Sequence, residues 1–183
     1  MSRAPPRLQK EIEVPETPVL NSIPTRILVP VDFSASSHEA LEMAVDLAAH
    51  FHAGLVLLHV IPMFTSSTLP DFVSESKFLE ETRKRAEGLF AAAREDLDGR
   101  GLDLSTVVEE GNDVASNIME VANREQVDFL VISTHGLTGW RPAVFGSIAE
   151  KVIRLVDCPL LLLRSRKKGA DDKGTESTPE KWW

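Results

Sequence analysis

The chain has 183 residues, 43% of them apolar, which is enough for one domain with a sizeable core plus tails and excludes a collagen, a coiled coil or a wholly disordered chain. Its formal net charge is −8, so the global field repels nucleic acid and anionic membrane surfaces, and any anion it binds needs a local site. No run approaches the roughly 18 consecutive apolar residues of a membrane span, and the start MSRAPPRLQKEIEVPE lacks a signal peptide's apolar segment, so the cytoplasm is the expected location.

Five of the eleven prolines (Pro5, Pro6, Pro15, Pro18 and Pro24) precede Thr25, and residues 1–24 read as an extended arm. Arg26 to Asp32 (RILVPVD) is a short, β-branched run of the kind expected for a strand covered on both faces. Ser36 and Glu39 have capping-box spacing, and Ala40, Leu41, Ala44, Val45 and Ala48 then repeat at helical spacing toward Gly54. Leu55 to Ile61 (LVLLHVI) is a second strand, and Phe78, Leu79, Thr82, Ala86, Leu89, Phe90, Ala93 and Leu97 mark a long amphipathic helix ending before Gly99. A weaker strand runs from Leu102 to Val108, followed by a short helix through Val114, Ile118, Val121 and Ala122. Phe129 to Ile132, a helix from Ser147 to Val156 and the apolar Leu160 to Leu163 complete the pattern. Residues 165–183 contain no Leu, Ile, Val or Phe, a composition that buries too little surface to order itself and reads as a charged flexible tail. Trp182 and Trp183 at its end are either a partner anchor or a chance terminus. Cys158 is the single cysteine; it excludes an intrachain disulfide and reads as a small hydrophobe beside Pro159.

Short apolar strands alternating with helices imply right-handed crossovers, a parallel sheet and a doubly wound α/β domain over residues 25–164. Ligands in such sheets sit beyond the carboxyl ends of the strands, where strand order reverses. Three places qualify: Asp32 with Phe33 and Ser34, Val60 with Ile61, and Ser133 to Ser147. In the third, STHGLTGWRPAVFGS, Gly136 is followed after nine residues by Gly146-Ser147, which opens the last helix. A glycine there admits close backbone approach, and the first-turn N–H groups with the positive end of the helix dipole offer an anion site that needs no positive net charge. Read structurally, the same residues are a Ser147 cap and glycines serving turns.

VPVDFS after the first run, LLHV in the second, and STHG with nine residues before GS and a closing CPLLLLR resemble the universal stress proteins, over roughly Thr25 to Arg164. The resemblance is to the nucleotide-binding branch. It implies a Rossmann-like five-stranded parallel sheet in order 3-2-1-4-5, usually dimeric through the last strand, and ATP as ligand, with ADP or AMP as competitors and magnesium alongside. By the same resemblance Asp32, Ser34 and the backbone near Val31 and Val60 hold adenine and ribose, while Ser133, His135, Gly136, Gly146, Ser147 and Ile148 surround the phosphates. Two departures weaken the match: Ser133 stands where the family pattern has its first glycine, and Leu137 stands where relatives often carry a basic residue.

Other chemistries fit less well. Neither a G-x-x-x-x-G-K-[ST] loop nor a G-x-G-x-x-G after a strand is present, which argues against a P-loop NTPase or a dinucleotide dehydrogenase. A phosphoacceptor domain needs clustered acids after the first strand, where Asp32 stands alone. His50 and His52 read as solvated, His59 as a core or strand-end residue, and Glu109-Glu110 as solvated charges. Asp32 and His135 are the only bases at strand ends, so the alternatives kept beside nucleotide binding are a nucleotide-free dimeric interaction module and a slow ATPase.

Overall fold

The computed structural model describes residues 23–63, 72–134 and 146–164. Within them β1 (Arg26–Pro30), α1 (Ala35–Phe51), β2 (Gly54–Pro62), α2 (Phe72–Asp98), β3 (Leu104–Gly111), α3 (Val114–Arg124), β4 (Phe129–Ser133), α4 (Ser147–Leu155) and β5 (Leu160–Leu163) alternate without interruption. The strands form one five-stranded sheet in the order β3-β2-β1-β4-β5, and every pairing is parallel. The doubly wound α/β fold expected from the apolar runs is therefore the fold observed. The arm and tail expected at residues 1–24 and 165–183 fall almost wholly outside the described residues.

Strand side chains alternate between two cores, which is why the runs are apolar at every position rather than at every second one. Ile27, Val29, Leu55 and Leu57 face α1 and α2, where Leu41, Val45, Phe90 and Leu97 meet them. Leu28, Val56, Leu58 and Leu130 face α3 and α4, against Ile118, Val121 and Val152. Cys158 packs against this second core, where burial pushes its thiol above the usual value, as suits a small hydrophobe.

Several boundaries differ from the sequence reading, each for a local reason. β1 stops at Pro30 rather than Asp32 because Phe33 turns the chain through a left-handed φ of 63°. The cap of α1 is Ser34, not Ser36: the Ser34 Oγ accepts from the Ser37 amide at 3.2 Å. The helix ends at Phe51, short of Gly54, because His52 enters the left-handed region at φ 56° and closes it. α2 starts at Phe72 instead of Phe78. β3 is shifted to Leu104–Gly111, and Glu109 and Glu110 are not simply solvated: Arg124 donates to Glu109 at 2.7 Å and Arg83 to Glu110 at 2.9 Å. Pairing these acids with neighbouring helices lets a strand continue where apolar periodicity fails.

Candidate functional site

The chain leaves β1 toward β2 on one side, while β4 pairs on the other; this reversal opens a gap beyond the carboxyl ends of β1 and β4. A cleft of about 440 Å³ occupies it. Leu58 and Val60 of β2, Val114 and Ile118 of α3 and Ile132 of β4 give it an apolar wall. Asp32, Ser133, Thr134 and Ser147 bring polar groups to the same space.

The β1–α1 turn is braced from within. Phe33 lays its ring against His59, with centroids 4.4 Å apart, and reaches Phe90 at 5.9 Å, contacts that hold a bulky residue in the left-handed region. The Ser34 amide and hydroxyl both donate to Asp32 Oδ1, at 3.0 and 2.5 Å. Because a hydroxyl carries one hydrogen, the 3.0 Å contact between the Ser34 and Ser36 hydroxyls then has Ser36 as donor. Asp32 is thus fixed in direction by the cap of the helix it precedes.

His59 supports the same turn. Its Nδ1 lies 2.8 Å from the Val31 carbonyl oxygen, and since a carbonyl only accepts, Nδ1 carries the hydrogen. Burial pulls the ring below the ordinary value of 6.5, with the Val31 bond and the nearby Asp32 charge offsetting part of the effect. A neutral ring bonded to backbone suits the expected strand-end role. Among the described residues no group of three or more His, Cys, Asp or Glu is placed to hold a metal ion.

The β4–α4 junction is built differently. The Thr134 amide donates to Leu163 at 2.8 Å, and the Thr134 carbonyl accepts from the Gly146 amide at 2.8 Å, so the helix start is docked directly on the strand end. A Cβ at Gly146 would lie 3.2 Å from that carbonyl oxygen, which explains a glycine here. Gly146 is the N-cap of α4 and supplies no side-chain cap. The capping role open to Ser147 in the sequence reading is therefore not observed; Ser147 is the first helical residue. The amides of Ser147, Ile148 and Ala149 have no acceptor within the helix and stand at the positive end of its dipole.

Of the residues singled out from sequence, Val31, Asp32, Val60, Ser133, Gly146, Ser147 and Ile148 all border this cleft. Ser34 does not line it and acts instead as cap and support for Asp32. His135 and Gly136 lie outside the described residues. Sequence reasoning missed Val114 and Ile118, whose helical spacing reads as ordinary core, and Thr134, whose role depends on a contact with Gly146.

The family model "Universal stress protein family" matches residues 24–164. The chain belongs to the universal stress protein family. Universal stress protein YxiE of Bacillus subtilis is 32% identical over 146 residues, covering 76% of this chain and 98% of that protein. Among solved structures, universal stress protein UspA from Lactobacillus plantarum superposes with a TM-score of 0.71 at 23% identity, over 79% of this chain and 100% of its own. The universal stress protein from Archaeoglobus fulgidus in complex with dAMP gives 0.51 at 20% identity, over 77% and 98%. A universal stress protein in complex with cAMP gives 0.51 at 22%, over 78% and 98%. These structural likenesses share the fold.

Proposed function

We propose that this universal stress protein binds one adenine nucleotide per chain in the cleft beyond β1 and β4, with ATP as ligand and ADP or AMP as competitors, and acts as a nucleotide-dependent stress-response or signalling module of the cytoplasm. The observation that carries the reading is the meeting, in one cleft, of an apolar wall wide enough for a base with the uncapped first turn of α4. The solved relatives that hold dAMP and cAMP support it.

The residues present fit such a ligand. The base would lie against Val60, Val114 and Ile118, with Asp32 and the backbone of Val31 toward the ribose. The phosphates would meet the amides of Ser147 and Ile148, the Ser147 hydroxyl and the Ser133 side chain, joined by His135 and Gly136. Magnesium, when bound, supplies neutralisation of phosphate charge. Asp32 is the sole carboxylate lining the cleft among the described residues, which suits an ion completed by phosphate oxygens and water rather than a protein cage.

The nucleotide-binding domain is proposed to span residues 25–164 and to form homodimers through β5. That strand is apolar at all four positions and lies at the sheet edge, where pairing with the same strand of a second copy protects it from open-ended association. Sedimentation at micromolar concentration showing only monomer would overturn the dimer. A second reading, a dimeric interaction module without nucleotide, is favoured by Ser133, whose Cβ stands where the family motif has a glycine. Calorimetric titration of nucleotide-stripped protein with Mg-ATP separates the two: saturation near one ATP per chain is expected, and an absence of heat together with no displacement of a fluorescent ATP analogue by ADP or AMP establishes the second.

A further inference from the structure

No Lys or Arg lines the cleft among the described residues, and its charged member, Asp32, is acidic. On the two helices that contribute to it, however, Lys151 of α4 places Nζ 2.5 Å from Oδ2 of Asp113 at the start of α3, an oxygen that also accepts from the Ser116 hydroxyl at 2.6 Å. Asp113 is the N-cap residue of α3 without a side-chain capping bond, and its carboxyl meets the first turn of that helix through the Ser116 hydroxyl. Lys151 and Ser116 hold its carboxyl down at about 2, so Asp113 stays ionised throughout the physiological range.

Placement relates this pair to the ligand. Lys151 follows Ser147 by four residues, one helical turn, and in helical projection it falls between Ser147 and Ile148, both of which border the cleft. Side chains on a helix lean toward its N-terminus, which is the direction from Lys151 to the open amides of the first turn of α4 and the direction the stem would take on leaving Asp113. Asp113 immediately precedes Val114, part of the apolar wall. The side chains of Lys151 and Asp113 are 53% and 39% exposed, and an ion pair so open to water is weak and exchangeable.

We propose that Lys151 is a transferable cation of this site, held by Asp113 when no phosphate is bound and drawn to the outer phosphates of a nucleotide when one is. The Asp113–Lys151 pair then sets the preference for di- and triphosphates over monophosphate and nucleoside. This rests on the nucleotide reading and deepens it: the first turn of α4 and the dipole serve any phosphate, whereas Lys151 rewards added negative charge. The two partners act with opposite sign. Removing Lys151 removes an attraction for phosphate; removing the Asp113 charge frees Lys151 and deletes a competing anion.

The test is a titration series of wild type, Lys151→Met and Asp113→Asn with Mg-ATP, Mg-ADP, AMP and adenosine at one ionic strength, with thermal melts to confirm folding. Lys151→Met is expected to weaken ATP about fivefold while leaving adenosine within about twofold, and Asp113→Asn to tighten ATP about threefold. A bridge that only holds α3 against α4 predicts instead that both variants weaken every ligand together, or change melting alone, and either result overturns the proposal. Wild type that binds adenosine and AMP, with an ATP preference untouched by both variants, overturns it while sparing the nucleotide reading; wild type that binds none of the four overturns both. If Lys151→Met does not fold, Lys151→Gln takes its place, and the salt dependence of ATP binding is compared between it and wild type: a shallower dependence in the variant is expected, and an equal one overturns the proposal.

Discussion

Two helices start directly beyond the two central strands, and they complete their first turns in opposite ways. After β1, Ser34 caps α1 at the Ser37 amide while fixing Asp32, and Phe33 and His59 brace the turn from the core side. After β4, α4 begins at a glycine docked on the Thr134 carbonyl, with no side chain to close the turn. The first junction is satisfied by its own chain and serves to aim one carboxylate. The second leaves donors at the positive end of a helix facing a cleft, which is the arrangement that receives an anion. The same supersecondary unit thus yields a support on one side of the switch point and the proposed binding surface on the other.

The largest way to break this contrast is Gly146→Val. A Cβ there meets the Thr134 carbonyl at 3.2 Å, and a branched side chain displaces the helix start from the strand end; we predict a loss of ATP affinity of about thirtyfold by calorimetry, with the far-ultraviolet spectrum retained.

Ser147→Pro sharpens it further. Proline is favoured at the first helical position, and the Gly146 backbone at φ −59° and ψ 149° already suits a residue before proline. The melting temperature should hold or rise slightly, while loss of one amide and one hydroxyl weakens ATP about tenfold. Equal ATP affinity in this variant would contradict a role for the first turn of α4.

At the closed junction the expected effects are on stability instead. Ser34→Ala removes the α1 cap and should cost about 1 kcal/mol in chemical denaturation, with ATP affinity lowered by less than about threefold through a less constrained Asp32.

The smallest effect is the pH response of His59. Its folded value lies below the ordinary 6.5, so as pH falls through that value the unfolded chain takes up the proton first and stability declines until the folded ring is also protonated. Melts between pH 7.5 and 5 should therefore show a modest fall that flattens in His59→Gln, which keeps a donor for Val31 but does not titrate.

Most of this architecture is readable from side-chain pattern, because strands buried on both faces leave uninterrupted apolar runs such as LVLLHVI and the helices between them keep their 3.6-residue repeat. What pattern does not carry is closure over distance. Ser34 and Ser36 both suit a helix cap, and only the left-handed turn at Phe33 selects the earlier one. Glu109 and Glu110 break the apolar run of β3, and the strand continues because Arg124 and Arg83 reach them from helices. Within the site, Asp32, Gly146 and Ser147 stand at strand ends and are legible there, whereas Val114 and Ile118 become a cleft wall only once α3 is packed beside β2 and β4. Lys151 and Asp113, 38 residues apart, carry no mutual signal in the sequence at all.

The open turn of α4, and not the closed turn of α1, is proposed to receive the anion. Amide chemical-shift changes on adding Mg-ATP to ¹⁵N-labelled protein address it residue by residue. The largest changes are expected at Gly146, Ser147, Ile148 and Ala149, with smaller ones at Val31, Asp32 and Ser37, which also border the cleft, and little at Ser36 and Glu39. Saturating changes centred on Ser36 and Glu39, with α4 unmoved, would contradict this.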